Sequence, residues 1–492
     1  MFFVSTRNSK VLCKFKDAVL DVMAEHQGGI FTPSFFSAMN YQQIADLARL
    51  PYKQLLTELL YNYCEQTIDK NTLSRLMDEA FCDFNKGFGD STKPNEMLSV
   101  EEFEENTFIV NLTHGPSGCC KDYGCCLTAS LVNYYAKLEG KKRSIIDISG
   151  GSSGVSIAWA IKNQDFLKGF VVLQISKNPS VKALISKAVA PNFGYAVVDA
   201  DDNFINKMRY EICNNVSLRE LANMTFINEL NIACIFAYLP IFFKLYIKCN
   251  SKPFCVSIPS GNLSIAMAGY FAKKIGIPVK KIILATEKNN FFYEIQQSKV
   301  AINNLDMEDG CTSLHSSLPT NFERLLFYLY DSNQGSVKRA MQELEANGRY
   351  KINDNLLAKF NETFFVAQCD NQFTIRNNIY SMIREKEIYV EQHFAIAKMA
   401  VDIAEGAIAS EIANVPMVVF NTLDYRRNVD FVNSALGYDM EHVNYPWTDT
   451  DVKAFQGTEI NADVTQILRY VVDDLDGKAH FVENEKKAEE KK

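Results

Sequence analysis

Apolar and polar positions divide the chain into two stretches of different texture. Up to about residue 85, apolar residues recur every three or four positions, which is the spacing of amphipathic helices. The polar and acidic residues 86–107 that follow are interpreted as an insertion or an exposed connection. The spacing predicts helices over Phe15–Met23, Tyr41–Ala48, Tyr52–Tyr61 and Asn71–Phe84.

From Ser144 onward, short apolar runs alternate with helix-like segments. The runs are rich in valine, isoleucine and phenylalanine and are bounded by turn residues, which is typical of strands. Strands that alternate with helices predict parallel sheets joined by crossover helices, and therefore an α/β fold. The predicted strands are Ile145–Ile148, Phe170–Ile175, Tyr195–Val198, Phe254–Ile258, Lys281–Ala285 and Met417–Phe420.

Length and charge exclude several classes of protein. With 492 residues, of which 47% are hydrophobic, the chain can bury at least two cores. The formal net charge of −8 disfavours a general nucleic-acid surface but allows a local pocket for a phosphorylated small molecule. The most apolar stretch, Ile232–Ile247, contains Pro240 and Lys244 and is too short to span a bilayer. We therefore expect no nucleic-acid partner and no membrane insertion.

The cysteines and the first residues predict a cytoplasmic protein with reduced thiols. Met1–Arg7 is too short, and becomes charged too early, to form the apolar core of a signal peptide. An odd total of 13 cysteines favours free thiols. The pairs Cys119-Cys120 and Cys125-Cys126 lack the spacing of zinc ligands, so we interpret them as small apolar residues and predict no metal.

One lysine stands out as a candidate for catalysis. Residues 112–124 read Leu-Thr-His-Gly-Pro-Ser-Gly-Cys-Cys-Lys-Asp-Tyr-Gly, so that Lys121 directly follows a loop rich in glycine and proline. A buried lysine with a lowered pKa can form a Schiff base with a carbonyl compound. The alternative is a surface turn that carries a lysine by chance.

Two glycine-rich turns are candidate anion sites. Ser149–Gly154 and Ser260–Ser264 each follow a predicted strand and open a predicted helix. Such turns present backbone N–H groups and the positive end of a helix to an anion. Neither fits the dinucleotide or P-loop pattern, and each taken alone could be an ordinary connection between a strand and a helix.

Several segments together resemble the threonine synthase family, and they occur in that family's order. His114–Gly124 resembles the segment that carries the pyridoxal-phosphate lysine, which reads roughly His-Gly-Pro-Thr-x-x-Phe-Lys-Asp-Phe/Tyr-Gly. The other matching segments are Ser5–Arg7, Gln27–Pro33, Ile258–Asn262, Ile277–Thr286, Ser317–Arg324, Glu391–Ala397 and Val418–Thr422. The resemblance extends from about Ser5 to Thr422.

The resemblance implies an α/β enzyme of fold type II that uses pyridoxal 5'-phosphate. It implies two parallel-sheet α/β domains with a helical N-terminal unit. We accordingly divide the chain into a mostly helical unit at 1–108, a catalytic region of two subdomains at 109–465, and a C-terminal segment with a charged tail at 466–492.

The resemblance also implies roles for individual residues. Lys121 is expected to be the Schiff-base lysine, and Thr422 is expected to contact the ring nitrogen of the cofactor. The cofactor-binding set is Lys121, Ser152, Ser260, Gly261, Asn262, Leu263, Ser264 and Thr422. Weaker candidates for substrate binding are Ser149, Gly151, Ser153, Lys177 and Asn231.

The chain departs from the family at several positions of the substrate pocket. Ser152 stands where the family has an acid, Cys234 where it has an arginine, and Asp424 where it has a histidine. An arginine clamps a phosphate or carboxylate in a way that cysteine cannot. Arg426 and Arg427 are candidates to compensate for the lost charge, although an arginine on a helix surface is the commoner state.

Three further positions bear on the site. Ser264 replaces the last glycine of the family's phosphate turn, and it can serve only if the backbone there suits a residue with a Cβ atom. His114 is interpreted as shaping the loop before Lys121. His393 is interpreted as structural.

The implied reaction is that of threonine synthase, in which O-phospho-L-homoserine and water give L-threonine and phosphate. Because the substrate pocket is altered, a second hypothesis is a phospho-lyase that releases a 2-oxo acid and ammonia from a phosphorylated hydroxy-amino acid. A third is a non-catalytic protein that binds the cofactor or a metabolite. The expected partner is a phosphorylated amino acid, and the sequence leaves monomer and homodimer open.

Overall fold

A computed structural model describes residues 2–24, 29–93, 95–149, 151–174, 178–287, 291–303, 314, 318–461 and 463. Its strands are β1 Phe3–Ser5, β2 Leu12–Cys13, β3 Phe31–Pro33, β4 Ser99–Glu104, β5 Thr107–Asn111, β6 Arg143–Ser149, β7 Leu167–Gln174, β8 Phe193–Val198, β9 Met224–Thr225, β10 Phe254–Pro259, β11 Val279–Thr286, β12 Val300–Ile302, β13 Arg349–Lys351, β14 Phe364–Gln368, β15 Met417–Asn421 and β16 Thr458–Ile460.

The helices of the first half of the chain are α1 Phe15–Leu20, α2 Tyr41–Arg49, α3 Tyr52–Cys64, α4 Lys70–Ala80, α5 Lys121–Glu139, α6 Ser152–Ile161, α7 Pro179–Ala188, α8 Asp202–Asn214, α9 Val216–Leu221, α10 Ile232–Phe236 and α11 Leu239–Lys248. Those of the second half are α12 Ser264–Ile275, α13 Phe291–Ser298, α14 Phe322–Leu329, α15 Gln334–Asn347, α16 Asp354–Thr363, α17 Gln372–Lys386, α18 Gln392–Ala407, α19 Ala409–Ile412, α20 Val429–Leu436 and α21 Asp449–Lys453.

Two sheets with parallel strands organise the chain, as the alternating pattern predicted. The five-stranded sheet has the order β16-β8-β7-β6-β9 and is parallel throughout. The six-stranded sheet has the order β14-β11-β10-β15-β5-β4, in which β4 alone is antiparallel to its neighbour. Two smaller antiparallel sheets, β2-β1-β3 and β12-β13, complete the strands.

The inner strands of both sheets are buried on their two faces, which explains why they read as continuous apolar runs. Every residue of β10 is buried, and neighbouring residues such as Val256 and Cys255 belong to different core clusters. Ile145 and Ile146 of β6 likewise belong to different core clusters, one on each face of the sheet. The six predicted strands are confirmed, although β7 ends at Gln174 and Ile175 lies outside the described residues.

The four predicted N-terminal helices are confirmed with different ends: α1 and α4 stop earlier than predicted, whereas α2 and α3 extend further, to Arg49 and Cys64. The first helix stops at Leu20 because Val22 has a left-handed backbone with φ of 61°. A single core cluster contains Phe3 and Leu55 of this unit together with Tyr123 of α5 and Phe236 of α10. The N-terminal unit is therefore packed directly against the helix that begins with Lys121.

The interpretation of residues 86–107 as an exposed connection is wrong in part. Strand β4 lies within them and pairs with β5 at the edge of the six-stranded sheet. Val100 and Phe103 are buried, whereas Glu101 and Glu102 are exposed, so that the acidic composition concealed a half-buried edge strand. The sheet thus begins before the predicted boundary at 108 and 109. The division of the chain otherwise stays a prediction, and 466–492 lie outside the described residues.

The apolar stretch 232–247 forms two short buried helices, α10 and α11. They pack in the main core against aromatic side chains such as Phe271 of α12. Within the described ranges, no helix combines the length and the apolar character that crossing a bilayer requires.

Candidate active site

Four strand ends of the two parallel sheets meet at one cleft. Parallel strands bring their carboxyl ends to the same edge, where ligands bind in α/β proteins. The loops and helix starts that follow β5, β6, β10 and β15 supply the lining. The cleft is lined by Cys119, Cys120, Lys121, Ser152, Tyr238, Ser260, Gly261, Asn262, Leu263, Ser264, Leu314, His393 and Thr422, among others. It therefore contains all eight residues predicted to bind the cofactor.

The loop before Lys121 is shaped by the residue that follows it. The buried Asp122 carboxylate accepts hydrogen bonds from Ser117 N (2.9 Å) and Ser117 Oγ (2.6 Å). Gly115 passes so close that a Cβ atom there would lie 2.3 Å from Asp122 Oδ2. Gly118 has φ of +67° and faces the Phe88 ring. These contacts explain the spacing of glycine, serine and aspartate around Lys121.

The same loop is joined to the end of β15, and this join brings Lys121 and Thr422 to one cleft. Cys120 N donates to the carbonyl of Thr422 (2.8 Å), and Asp424 N donates to the carbonyl of Gly118 (2.8 Å). Tyr238 Oη donates to the carbonyl of Cys120 (3.1 Å). The start of α5 is thereby held in position from two sides.

The amine of Lys121 donates to the hydroxyl of Ser153, in the first turn of α6. That turn is held from within, because Ser149 Oγ accepts from Gly151 N (3.1 Å) and Gly154 N (2.9 Å). Ser153 therefore contacts the candidate catalytic amine, whereas the hydroxyl of Ser149 braces its own turn.

The turn after β10 has the form of an anion site. Among the described residues, the amide groups of Gly261, Asn262 and Leu263 have no hydrogen-bond acceptor in the protein, and they precede the N-terminus of α12. Backbone N–H groups at the start of a helix bind phosphate. The carbonyl of Asn262 accepts from Asn321 N (3.3 Å) and Nδ2 (3.1 Å), which fixes the turn.

Ser264 can take the place of the last glycine of the family's phosphate turn. Ser264 is the first residue of α12, where its Cβ atom causes no strain. The left-handed backbone falls instead on Leu263, with φ of 68° and ψ of 5°. A left-handed conformation at a non-glycine residue costs about 1–2 kcal/mol. The apolar surroundings of Leu263, which is only 3% exposed, offset that cost by burying its side chain.

Thr422 has a partner that the sequence did not reveal. Its hydroxyl lies 3.0 Å from Nδ1 of His393, and both residues are buried. Burial and the positive charge of Lys121 lower the pKa of His393 to about 3, so the imidazole is neutral at physiological pH. The main-chain N–H of His393 donates to Oε1 of Glu391 (2.8 Å), which caps α18.

An acidic side chain, Glu229, lies near Lys121. Glu229 lines a small cavity with Lys121, Ser153 and Cys234, and its carboxylate pairs with Arg209 at 3.1 Å. Although burial opposes ionisation, the charges of Arg209 and Lys121 hold the pKa of Glu229 below its ordinary value. Glu229 is therefore ionised at neutral pH.

Asp147, within β6, is a second buried acid that interacts with Arg209. It is 4% exposed, and one of its oxygens accepts from Asn228 Nδ2 (3.2 Å). Burial raises the pKa of Asp147 from 3.8 to about 6, although the charge of Arg209 opposes the change. Near neutral pH the folded protein thus holds a costly buried charge.

Asp147→Asn is expected to stabilise the protein at high pH only. An acid whose pKa is raised on folding costs stability above that pKa, and costs nothing below its value in the unfolded chain. The penalty of Asp147 therefore develops between pH 3.8 and about 6. The difference between these values corresponds to about 3 kcal/mol.

Urea unfolding of wild type and Asp147→Asn from pH 4 to 8 checks this prediction. The variant should unfold with the higher free energy at pH 8 and with the same free energy at pH 4. Asp165→Asn, at an exposed position, is the matched control and should show no such trend. A constant difference at all pH values would contradict the prediction.

The lost family residues are not replaced by the two candidate arginines. Arg426 forms a bidentate pair with Asp424 (2.7 and 2.8 Å) and stacks over the Phe88 ring. Arg427 is buried and donates to Ser180 Oγ (3.0 Å) and to the carbonyl of Ser117. Both guanidinium groups thus bind protein partners, so neither compensates for Cys234 in this structure.

Some residues predicted to bind the substrate form hydrogen bonds within the fold instead. Asn231 Nδ2 donates to the carbonyls of Val19 and Phe226, both at 2.8 Å, and its Oδ1 accepts from Ala233 N (3.1 Å). Its amide is therefore used within the fold, as is the hydroxyl of Ser149. Gly151 supplies the cap of α6, and Lys177 lies outside the described residues.

Sequence reasoning missed Glu229 and His393 as residues of the cleft. Glu229 lies in the segment that carries Cys234, where the family has an arginine, so an acid in this segment was a signal that could have been used. His393 lies in another such segment, but its contact with Thr422 joins α18 to β15 and has no local signature.

Comparison with known proteins supports the resemblance. Residues 2–81 match the family model described as "Threonine synthase N terminus". The chain is 21% identical over 429 residues to threonine synthase of Pseudomonas aeruginosa, covering 86% of this chain and 87% of that protein. It is 23% identical over 467 residues to threonine synthase of Saccharomyces cerevisiae, covering 88% of each chain.

Solved structures share the fold along nearly the whole chain. The pyridoxal-phosphate-bound threonine synthase from Brucella melitensis superimposes with a TM-score of 0.83 at 21% identity, covering 96% of this chain and 98% of that one. The yeast threonine synthase gives the same TM-score at 18% identity, covering 97% and 99%.

Proposed function

We propose that this chain, which belongs to the threonine synthase family, is a pyridoxal-phosphate enzyme that converts O-phospho-L-homoserine and water to L-threonine and phosphate. One observation carries the proposal: Lys121, the amide groups of the turn after β10, and Thr422 all line one cleft. These groups come from distant parts of the chain, and their chemistry matches the aldehyde, the phosphate and the ring nitrogen of that cofactor.

The donors of the cleft fit the cofactor. Ser260–Ser264 would hold its phosphate, because the amide groups of Gly261, Asn262 and Leu263 are available at the start of α12. Lys121 would bind its aldehyde, and Thr422 would face its ring nitrogen. When bound, the cofactor supplies an electron sink that stabilises negative charge on the substrate carbon atoms.

Residues of the protein would then transfer protons, bind the substrate and limit the access of water. Lys121 Nζ is the proposed carrier of protons to and from the substrate carbons, and the hydroxyl of Ser153 orients it by accepting its hydrogen bond. Ser152 and the start of α6 offer hydroxyl and N–H donors to the substrate carboxylate. Tyr238 and Leu263, which line the cleft, are buried side chains that would limit the access of bulk water.

Glu229 is a proposed determinant of substrate affinity. A carboxylate near Lys121 repels a phosphorylated substrate and neutralises the charge of Arg209 by pairing with it. Glu229→Gln is therefore expected to lower KM for O-phospho-L-homoserine about 3- to 10-fold, the effect of removing about 1 kcal/mol of repulsion.

Steady-state kinetics on Glu229→Gln, with exposed Glu220→Gln as the matched control, measure this effect. The control should leave KM unchanged. A KM that rises in Glu229→Gln would mean that the pair with Arg209 is needed to shape the pocket.

The product assay tests the proposed function itself. The purified protein, loaded with pyridoxal phosphate, is incubated with O-phospho-L-homoserine in ¹⁸O-labelled water. Threonine with ¹⁸O in its β-hydroxyl group, together with phosphate, supports the proposal. Release of 2-oxobutanoate and ammonia would support the phospho-lyase alternative instead.

The remaining sequence predictions are proposals of the same kind. We propose that the protein works in the cytoplasm on a small phosphorylated amino acid, without a nucleic-acid partner. Its net charge of −8 and the free thiols of the described cysteines support this setting.

A further inference from the structure

We propose that His393 is a positioning residue that orients the hydroxyl group of Thr422 and thereby keeps the ring nitrogen of the cofactor unprotonated. The proposal rests on the proposed function for the identity of the cofactor. It goes beyond that function because His393 acts through Thr422 and not on the reacting atoms or the substrate.

The geometry provides one clear contact. Nδ1 of His393 lies 3.0 Å from Oγ1 of Thr422, and this is the side-chain hydrogen bond that the structure shows for the Thr422 hydroxyl. The two residues are 7% and 4% exposed, so little of either side chain is open to water. His393 is the second residue of α18, and Thr422 directly follows β15. Two packed elements therefore fix the pair.

A hydroxyl group has a single proton, so its partner decides where that proton points. If Nδ1 accepts the proton, Thr422 offers the cleft only lone pairs, and a ring nitrogen must be protonated to bond with it. If Nδ1 donates, the Thr422 proton is free to be donated into the cleft. The tautomer of His393 thus selects one protonation state of the ring nitrogen.

The surroundings favour a proton on Nδ1. This atom faces two oxygens, Thr422 Oγ1 at 3.0 Å and Glu391 Oε1 at 3.9 Å. Oxygen lone pairs beside a ring nitrogen stabilise its N–H form. Burial and the charge of Lys121 keep His393 neutral, with a pKa of about 3, and burial also raises the pKa of Glu391 well above its ordinary value. His393 is therefore not expected to titrate near neutral pH, and the charges of Cys119 and Asp424 add to the rise in the pKa of Glu391.

The functional consequence is a ring that accepts a hydrogen bond without carrying a charge. An unprotonated pyridine withdraws electrons less strongly than a protonated one, which limits how long negative charge remains at the α-carbon. The contact between His393 and Thr422 would hold this electronic state constant as the pH of the medium changes.

The test uses the loaded full-length protein and pyridoxal phosphate labelled with ¹⁵N in the ring. In wild type, the ¹⁵N resonance should stay at the position of an unprotonated pyridine across the pH range in which the protein is folded. In His393→Leu, the freed hydroxyl rotates, and the resonance should move toward the protonated position as pH falls. His393→Asn, which keeps a donor near Nδ1, should restore most of the wild-type behaviour.

A double variant separates positioning from mere support of the fold. If His393 acts through Thr422, the spectrum of His393→Leu/Thr422→Val should match that of Thr422→Val alone. Additive changes, or an unchanged resonance in His393→Leu, would overturn the proposal. An unchanged resonance in Thr422→Val would overturn it as well, because Thr422 would not contact the ring. His442→Leu, at an exposed position, is the control.

Failure of the proposed function gives a different pattern. If the protein binds the cofactor and shows the expected ¹⁵N shifts but makes no threonine, the role of His393 stands and the assigned reaction fails. If threonine forms but the shifts are absent, the reaction stands and the role of His393 fails.

Discussion

Lys121→Ala is expected to abolish threonine formation, with a loss of about 1,000-fold or more in kcat. The amine is the group of the cleft that can both attach the cofactor and carry protons, and removing a general acid–base group alone costs about 10²–10⁴-fold. The visible absorption band of the bound cofactor should disappear in the same variant. The phosphate site of the turn after β10 remains, so weaker, non-covalent binding of the cofactor should persist.

Absorption spectra, cofactor titration and a threonine assay measure these effects together. Lys137→Ala is the matched control, because it removes an exposed lysine near the other end of α5. It should retain the band and the activity. Retention of the visible band in Lys121→Ala would mean that another lysine attaches the cofactor and would refute the central assignment.

Arg324→Leu is expected to destabilise the protein by about 3–5 kcal/mol, because it leaves buried acceptors without a donor. The Arg324 side chain is completely buried and donates to the carbonyl of Phe31 (3.0 Å), the carbonyls of Glu229 (3.3 Å) and Leu230, and Asn321 Oδ1 (2.5 Å). Burial lowers the pKa of Arg324 to about 10, so it remains a cation at neutral pH.

The position of these acceptors gives the substitution a second effect. Phe31 belongs to the N-terminal unit, Glu229 lies beside Lys121, and Asn321 fixes the turn that we propose for the cofactor phosphate. Loss of Arg324 should therefore weaken cofactor binding as well as the fold.

Chemical denaturation with and without cofactor measures both effects. Arg339→Leu, on the exposed face of α15, is the control and should change the free energy of unfolding by less than about 0.5 kcal/mol. Arg324→Lys should recover only part of the stability, since a lysine amine cannot reach acceptors on four sides. An Arg324→Leu protein as stable as the control would show that the buried network contributes nothing.

The sequence predicted well those elements whose conformation depends on residues that are neighbours in the chain. The strand β10 and the turn Ser260–Ser264 are apparent because a buried strand must be apolar and a tight turn before a helix favours glycine, serine and asparagine. Strand β4 was missed because its glutamates are exposed and because its buried residues, Val100 and Phe103, do not alternate: they are three positions apart, and the pairing with β5 is irregular beyond Glu102.

The sequence by itself determined the fold class, the loop of Lys121 and the phosphate turn, because each depends on residues that are neighbours in the chain. Only the tertiary structure decided what the polar side chains do. It turned Asn231 toward backbone carbonyls, placed Glu229 beside Lys121 and set His393 against Thr422. Such contacts depend on how separate elements pack, and the direction of a side chain at the end of a helix or strand is fixed only when its neighbours from distant segments are in place.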